Sequence, residues 1–126
     1  MKKEKIFKYA KEHFGSDPEY LWENTPDCCI LRNKSNRKWY AVLMKVEKEK
    51  LGLPGNEKTY ILNVKCNPIM IGSFTSQKGF LPAYHMNKEH WISIIIESAK
   101  DSQIFDMLHG SFDLINKKAK TKKQPF

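Results

Sequence analysis

The chain has 126 residues, 40% hydrophobic and 12% aromatic, which is enough to build one hydrophobic core. Its formal net charge of +8 favours anionic partners such as nucleic acid. The most apolar run, residues 91–96, is too short to span a membrane, and lysines interrupt the place of a signal peptide's apolar segment. We therefore expect one cytoplasmic domain over residues 1–118 and a flexible basic tail over 119–126.

The hydrophobic spacing predicts a helix at each end of the chain. Apolar residues recur on one face over residues 3–14, and again after Asp101, which can cap the last helix. Runs rich in β-branched and aromatic residues predict five strands, within 28–32, 38–46, 59–65, 79–84 and 91–96. The last strand is the most apolar, so we expect it at the sheet centre.

A third, shorter helix is predicted over residues 68–75, because Asn67 followed by Pro68 is typical of a helix start. The element order is then α-β-β-β-α-β-β-α. This order predicts an α+β, two-layer fold in which an antiparallel sheet of about five strands carries its helices mainly on one face.

The sequence offers no constellation for catalysis, metal binding or cofactor binding. Its three cysteines are odd in number, and two are adjacent, so we expect Cys28, Cys29 and Cys66 to be reduced. A CxxC zinc pair, a P-loop and the GxGxxG, GxSxG and HExxH motifs are all absent from the sequence. We therefore predict no catalytic residue, metal or cofactor.

The first hairpin is the main candidate for a nucleic-acid contact. Its turn is bracketed by the cations Arg32, Lys34, Arg37 and Lys38. Cations on a projecting hairpin can follow a groove of DNA, while short polar side chains reach phosphates or base edges. Trp39 and Tyr40 come next, and only one of two neighbours in a strand can face the core. The alternative is that a basic turn merely keeps an edge strand soluble.

The segment from residue 84 to 91 is the most chemically suggestive. His85 and His90 could be a metal pair, or an acid and base with Glu89. Their spacing of five does not place two ligands on one helical face, and no third ligand has motif context.

A structural interpretation of the same segment accounts for more of its residues. Asn87 would cap a single turn over 88–90, Met86 and Trp91 would form a hydrophobic staple, and the histidines would bond backbone groups in the bend.

A small anionic ligand is the remaining alternative for this corner. Tyr84, His85 and Lys88 carry donors suited to phosphate, and tyrosine can stack on a base. Such a ligand is expected between these residues and Lys65.

Residues 81–91, LPAYHMNKEHW, closely resemble the signature of the MmcQ/YjbR family of small bacterial proteins. Three further stretches resemble the family's second strand, its strand-to-helix junction and its last helix: KWYA at 38–41, NVKCNP at 63–68 and SFDL at 111–114. Many relatives carry aspartate where this chain has Asn67, and both residues cap helices well. The resemblance covers residues 1–118.

The resemblance implies an α/β arrangement similar to that of secretion chaperones, sometimes compared with frataxin. Family members are commonly described as DNA-binding, because two hairpin wings resemble those of winged nucleic-acid binders. No catalytic residues are established for the family, so none is carried over to this chain.

Three functions follow as expectations. The first is a monomeric DNA-binding protein that makes mainly electrostatic contacts through the terminal lysines and through Arg32, Lys34, Arg37, Lys38 and Lys65. The second is a protein-interaction module with an exposed patch at residues 20–22 or an open sheet edge. The third is a small-anion binder at the corner formed by Tyr84, His85, Asn87, Lys88 and His90.

Overall fold

An antiparallel sheet of five strands organises the computed structural model, which describes residues 2–116. The strands are β1 (Cys29–Arg32), β2 (Trp39–Glu47), β3 (Lys58–Lys65), β4 (Phe80–Pro82) and β5 (Trp91–Ile95). The helices are α1 (Lys2–Phe14), α2 (Pro68–Thr75) and α3 (Asp101–Asn116), with a 3₁₀ turn over Lys48–Leu51. The α+β fold and its element order are confirmed. The end of the predicted domain and the predicted tail lie outside the described residues.

The spatial order of the strands is β1-β2-β3-β5-β4, and every neighbouring pair is antiparallel. The central strand is therefore β3, and the prediction that residues 91–96 form the sheet centre is wrong. Strand β5 is buried along its whole length, and the short β4 lies on its outer side at the edge of the sheet. A strand covered on both faces is equally apolar one place away from the centre, so composition does not distinguish the two positions.

All three helices pack on one face of the sheet, as predicted. Ile6 of α1 and Ile104 and Leu108 of α3 lie in a single buried cluster with Leu62 and Ile92 of the sheet. Each such side chain contributes roughly 1.5–3 kcal/mol to folding through removal from water. This cluster is the main core of the domain.

Loops cover the opposite face of the sheet. One small cluster joins Trp91 to Ala83 and Val42, and a second joins Ile61 to residues of the segment that follows β2. Because loops form this layer, their polar side chains lie at the surface, where they can contact a ligand or a partner.

Ser111 ties α3 to the middle of the sheet. Its hydroxyl donates to the carbonyl of Tyr40 in β2 at 2.6 Å and accepts from the backbone N–H of Lys65 in β3 at 2.8 Å. The serine is completely buried, so both hydrogen bonds form away from water.

Among residues 2–116, no helix is long and apolar enough to cross a membrane.

Candidate nucleic-acid interface

The turn between β1 and β2 is anchored on the C-terminal end of α3. The buried Asn33 donates from Nδ2 to Oδ1 of Asn116 at 2.8 Å, and Asn36 donates from Nδ2 to the carbonyl of Ile115 at 2.8 Å. The expectation of a projecting hairpin is therefore wrong. The last carbonyls of a helix lack partners within the helix, and this turn supplies one.

The anchored turn has a fixed internal geometry. Oδ1 of Asn33 accepts from the backbone N–H of Ser35 at 2.7 Å, and Oδ1 of Asn36 accepts from that of Lys38 at 2.9 Å. Arg37 has a left-handed backbone, with φ of 65°, which is unfavourable for a residue with a side chain. The asparagines thus hold the cations of the turn in place.

The four predicted cations of the hairpin differ in availability. Nε of Arg32 lies 3.0 Å from Oε2 of Glu19, and its side chain is only 16% exposed, so its charge is already partnered. Lys34, Arg37 and Lys38 are exposed, and none of the three forms an ion pair within residues 2–116. The turn therefore presents three free cations rather than four.

Lys38, Lys65 and His90 line one cleft of about 260 Å³, which we call the basic cleft. Its other lining residues are Cys66, Asn67, Pro68, Leu114 and Ile115, so no acidic residue lies among the described ones. Nζ of Lys65 lies 5.8 Å from the ring centroid of Trp91, a cation–π contact. The cleft joins the end of β3, the start of α2 and the anchored hairpin.

The first backbone donors of α2, beside this cleft, are satisfied by the chain itself. Oδ1 of Asn67 accepts from the N–H of Ile69 at 3.0 Å, and its carbonyl accepts from that of Met70 at 2.9 Å. Asn67 is thus the helix cap that the sequence predicts. Any affinity of the cleft for anions therefore depends on the side-chain cations.

Asn87 caps the single turn at residues 88–90, as predicted. Its Oδ1 accepts from the N–H of Glu89 at 2.7 Å, and its carbonyl accepts from that of Trp91 at 3.0 Å. Met86 packs in the same apolar cluster as Trp91. His85 and His90 are exposed, and within residues 2–116 neither imidazole forms a hydrogen bond, so the expectation that they bond the bend is wrong. Lys88 is exposed beside them.

Two buried polar residues hold the start of this corner. The Ser93 hydroxyl donates to Oδ1 of Asn63 and accepts from the N–H of Tyr84 at 2.9 Å, while Nδ2 of Asn63 donates to the Tyr84 carbonyl at 3.4 Å. Sequence reasoning missed this pair. Its signal was present, because each is a polar residue inside an apolar strand, and the two lie directly opposite each other in β3 and β5.

Tyr84 and His85 line a different cleft, of about 440 Å³, that does not include Lys65. The predicted anion site between Lys65 and these two residues is therefore wrong, and Lys65 lies with His90 instead. The Tyr84 cleft has mixed charge: its lining includes Lys45, Lys50, Lys58, Asp27 and Glu47. Nζ of Lys50 lies 3.4 Å from Oε1 of Glu47. An anionic ligand is less favoured here than in the basic cleft.

Residues 20–22 form an exposed apolar patch, and Trp22 is 39% exposed. The Trp22 ring contacts Trp39 edge to face, with centroids 5.9 Å apart and planes at 87°. Tyr40 is fully buried in the main core, whereas the half-buried Trp39 packs against the small cluster on the opposite sheet face, so both neighbours contact apolar clusters.

Neither outer edge of the sheet is well suited to accept another strand. Glu19 exchanges both backbone hydrogen bonds with Ile30 of β1, at 3.0 and 2.9 Å. Strand β4 has only three residues and ends at Pro82, which has no N–H to donate.

An apolar groove of about 450 Å³ between α2 and α3 was not predicted. Its apolar lining is formed by Met70, Phe74, Phe80, Met107 and Leu114. The signal in the sequence was the apolar composition of residues 68–75. In the structure none of these residues is buried, and Ile69 beside the groove is 86% exposed.

The cysteines are poorly suited to nucleophilic or metal chemistry. Burial raises the pKa of Cys29 to about 11 and also raises the pKa of the Cys28 and Cys66 thiols, so all three are protonated at neutral pH. In the part of the chain that the structure describes, no group of three or more His, Cys, Asp or Glu side chains could hold a metal ion.

The fold and these surfaces define a class: a small α+β domain with helices on one sheet face and loops on the other. The chain belongs to the YjbR family, whose family model matches residues 12–114. It is 44% identical over 113 residues to the uncharacterised protein YyaQ of Bacillus subtilis, covering 89% of this chain and 96% of that protein.

Solved structures agree with the fold. A crystal structure of a Pseudomonas syringae protein, 35% identical, has a TM-score of 0.87 and covers 90% of this chain and 98% of that one. A crystal structure of a Deinococcus radiodurans protein has a TM-score of 0.68 at 18% identity, covering 91% of this chain and 78% of that one. At this lower identity the likeness shows the fold alone.

Proposed function

We propose that this protein is a monomeric, cytoplasmic DNA-binding protein that contacts the phosphate backbone through the basic cleft and the neighbouring hairpin turn. The observation that carries the proposal is the meeting of Lys38, Lys65 and His90 in one cleft without an acidic residue in its described lining. Lys34 and Arg37 extend the same surface, since both are exposed in the turn that precedes Lys38.

The distribution of charge supports this surface. Five of the 22 basic residues follow Asn116 and none of the 14 acidic residues does, so residues 2–116 have 17 basic and 14 acidic residues and a net charge of +3. Several of these charges cancel in ion pairs, such as Lys11 with Asp17 at 2.9 Å. The unpaired cations at the cleft are therefore a larger share of the effective charge than the totals suggest.

Binding of this kind is mainly electrostatic. Lysine and arginine contacts to phosphate fix the position of a strand but do not read its sequence, so we expect weak sequence preference. Each neutralised phosphate contributes about 0.9 to the slope of log affinity against log salt concentration on duplex DNA. The anchored turn adds preorganisation, because Asn33 and Asn36 fix the backbone that carries the cations before the partner arrives.

The test is a fluorescence-anisotropy titration of labelled DNA and of heparin at several salt concentrations. Arg37→Glu/Lys38→Glu should weaken DNA binding at least tenfold and reduce the salt slope. The matched control is Lys78→Glu/Lys100→Glu, which makes the same change in net charge with two exposed lysines. Lys100 immediately precedes α3, whereas the hairpin is anchored at the opposite end of that helix, about 24 Å away for 16 residues.

Equal losses of DNA affinity in the two double variants would mean that only the overall charge matters. If neither variant lost affinity, this surface would not be the DNA-binding site.

A protein-interaction module is the second candidate, favoured by the exposed patch at residues 20–22. Partners recovered from nuclease-treated extract, and lost on Trp22→Ala, would support that candidate over DNA binding.

A further inference from the structure

We infer that the nucleic acid bound by this surface is single-stranded, and that one of its bases stacks on Trp22. The inference rests on the proposed function and deepens it, because it names the form of nucleic acid and a residue that reads it. Three features of the structure lead to it: the orientation of the Trp22 ring, its contact with Trp39 next to Lys38, and the anchoring of the hairpin.

Trp22 is held in place and yet remains accessible. Its perpendicular contact with Trp39 leaves at least one face of the Trp22 ring uncovered by that neighbour. Trp39 itself packs against the buried cluster that contains Ile30, Val42 and Trp91, so the contact is fixed on the core. An exposed aromatic ring on a rigid support is the kind of surface on which an unstacked base gains binding energy.

The aromatic pair is continuous with the free cations. Lys38, which lines the basic cleft, directly precedes Trp39, and Trp39 contacts Trp22. Exposed Glu23 follows Trp22 and repels phosphate, whereas Glu19 is occupied by Arg32. A strand with a base on Trp22 is therefore directed toward Lys38 and the cleft. Aromatic rings beside a cationic groove are typical of single-strand binders.

The anchored hairpin disfavours the duplex alternative. Reading a groove requires an element that projects into it, and this turn is instead bonded to Ile115 and Asn116 at the end of α3. In duplex DNA the bases are stacked on each other, and freeing one for Trp22 costs a few kcal/mol. A single strand offers its bases and its phosphates without that cost.

The experiment compares four labelled probes of equal length at one salt concentration: a single-stranded oligothymidylate, an abasic strand with the same phosphates, a duplex, and heparin fragments. We expect the oligothymidylate to bind about tenfold or more tightly than the abasic strand and the duplex. Binding should quench tryptophan fluorescence, because the stacked base contacts Trp22 directly.

Substitutions test whether the difference in affinity between the oligothymidylate and the abasic strand depends on Trp22. Trp22→Ala should reduce oligothymidylate affinity to that of the abasic strand without changing the salt slope, while Trp22→Phe should retain part of the difference. Ile69→Ala, which removes another exposed apolar side chain on α2, is the control and should leave binding unchanged. Circular dichroism and thermal melting of each variant verify that it is folded.

The outcomes separate the two proposals. Equal affinity for the oligothymidylate and the abasic strand, with the effect of Arg37→Glu/Lys38→Glu intact, overturns the stacking inference and leaves the proposed function standing. Tighter binding of the duplex than of the single strand would also overturn the inference and leave the proposed function standing. If no DNA probe binds more tightly than heparin at physiological salt, the proposed function fails and the inference fails with it.

Discussion

The corner at residues 84–91 and the turn at residues 33–38 look alike in sequence, since both mix short polar residues with histidines, lysines or arginine. In both, the short side chains hold the backbone: Asn87 caps one segment, and Asn33 and Asn36 anchor the other. They differ in their long side chains. In the corner, Met86 packs against the apolar cluster that contains Trp91. The turn instead presents free cations beside Lys65. In both segments the short polar side chains specify structure, whereas the proposed DNA contacts are the free cations of the turn together with Lys65.

The largest effect that would test this contrast is expected from Asn63→Ala, which removes the support of the corner. Its loss leaves the Ser93 hydroxyl without the acceptor for its proton and removes the side-chain donor of the Tyr84 carbonyl. We expect a decrease of about 2–3 kcal/mol in the free energy of unfolding, measured by urea denaturation. The double variant Asn63→Ala/Ser93→Ala should lose less than the two single variants together, because it removes both partners. Additive losses would contradict the pairing.

The next effect is expected from Asn33→Ala, which breaks the anchor of the hairpin. Removing this buried side chain should cost about 1–2 kcal/mol of unfolding free energy. It should also weaken DNA binding severalfold, because the cations are no longer held in position. Denaturation and anisotropy on the same sample give both quantities. Full DNA affinity in a folded Asn33→Ala protein would show that the anchor has no role in binding.

Asn87→Ala should separate the two regions most clearly. Losing a cap costs about 1 kcal/mol, so stability should fall by that amount. DNA affinity should fall less than in Asn33→Ala, because Asn87 supports no cation of the hairpin and holds only the turn that carries His90 of the basic cleft. A loss of affinity larger than that of Asn33→Ala would reverse the roles assigned to the two segments.

The smallest effect is expected at the other end of α3 and depends on pH. The hydrogen bond from the Lys5 ammonium, helped by that of Lys2, holds the pKa of Asp101 below its ordinary value of 3.8. Since the folded-state pKa is lowered, the stabilisation is present above pH 3.8 and is lost as the pH falls further. The melting temperature of Asp101→Asn should therefore be slightly lower than that of the natural protein at pH 7, and the difference should shrink as the pH falls below 3.8. An unchanged difference at low pH would exclude this ion pair as its cause.

Local patterns sufficed for the elements of the fold and for the capped turns. The bounds of α2 and the caps at Asn67 and Asn87 follow from a few neighbouring residues, so they can be read from the sequence. The central strand could not be identified, because β5 is covered on both faces and is more apolar than β3, although β3 is the central strand. Neighbour order in a sheet depends on pairing between distant segments, which local composition does not encode.

The candidate site was only partly predictable for the same reason. Lys38 and Lys65 were identified as cations, but their meeting with His90 depends on the register of β3 with β5. The anchor between Asn33 and Asn116 joins residues 83 positions apart, and nothing near either asparagine indicates it. Arg32 was assigned to the interface because its charge is visible in the sequence, whereas its pairing with Glu19 is not.

Helix α2 borders both the basic cleft, through Pro68, and the apolar groove, through Met70 and Phe74, yet none of its residues is buried. A segment with so little buried surface opens at a small fraction of the free energy needed to unfold the sheet. Its amide hydrogens should therefore exchange with solvent deuterium well before those of β3 and β5. Because α2 forms a wall of both cavities, opening of this helix would alter the basic cleft and the apolar groove together.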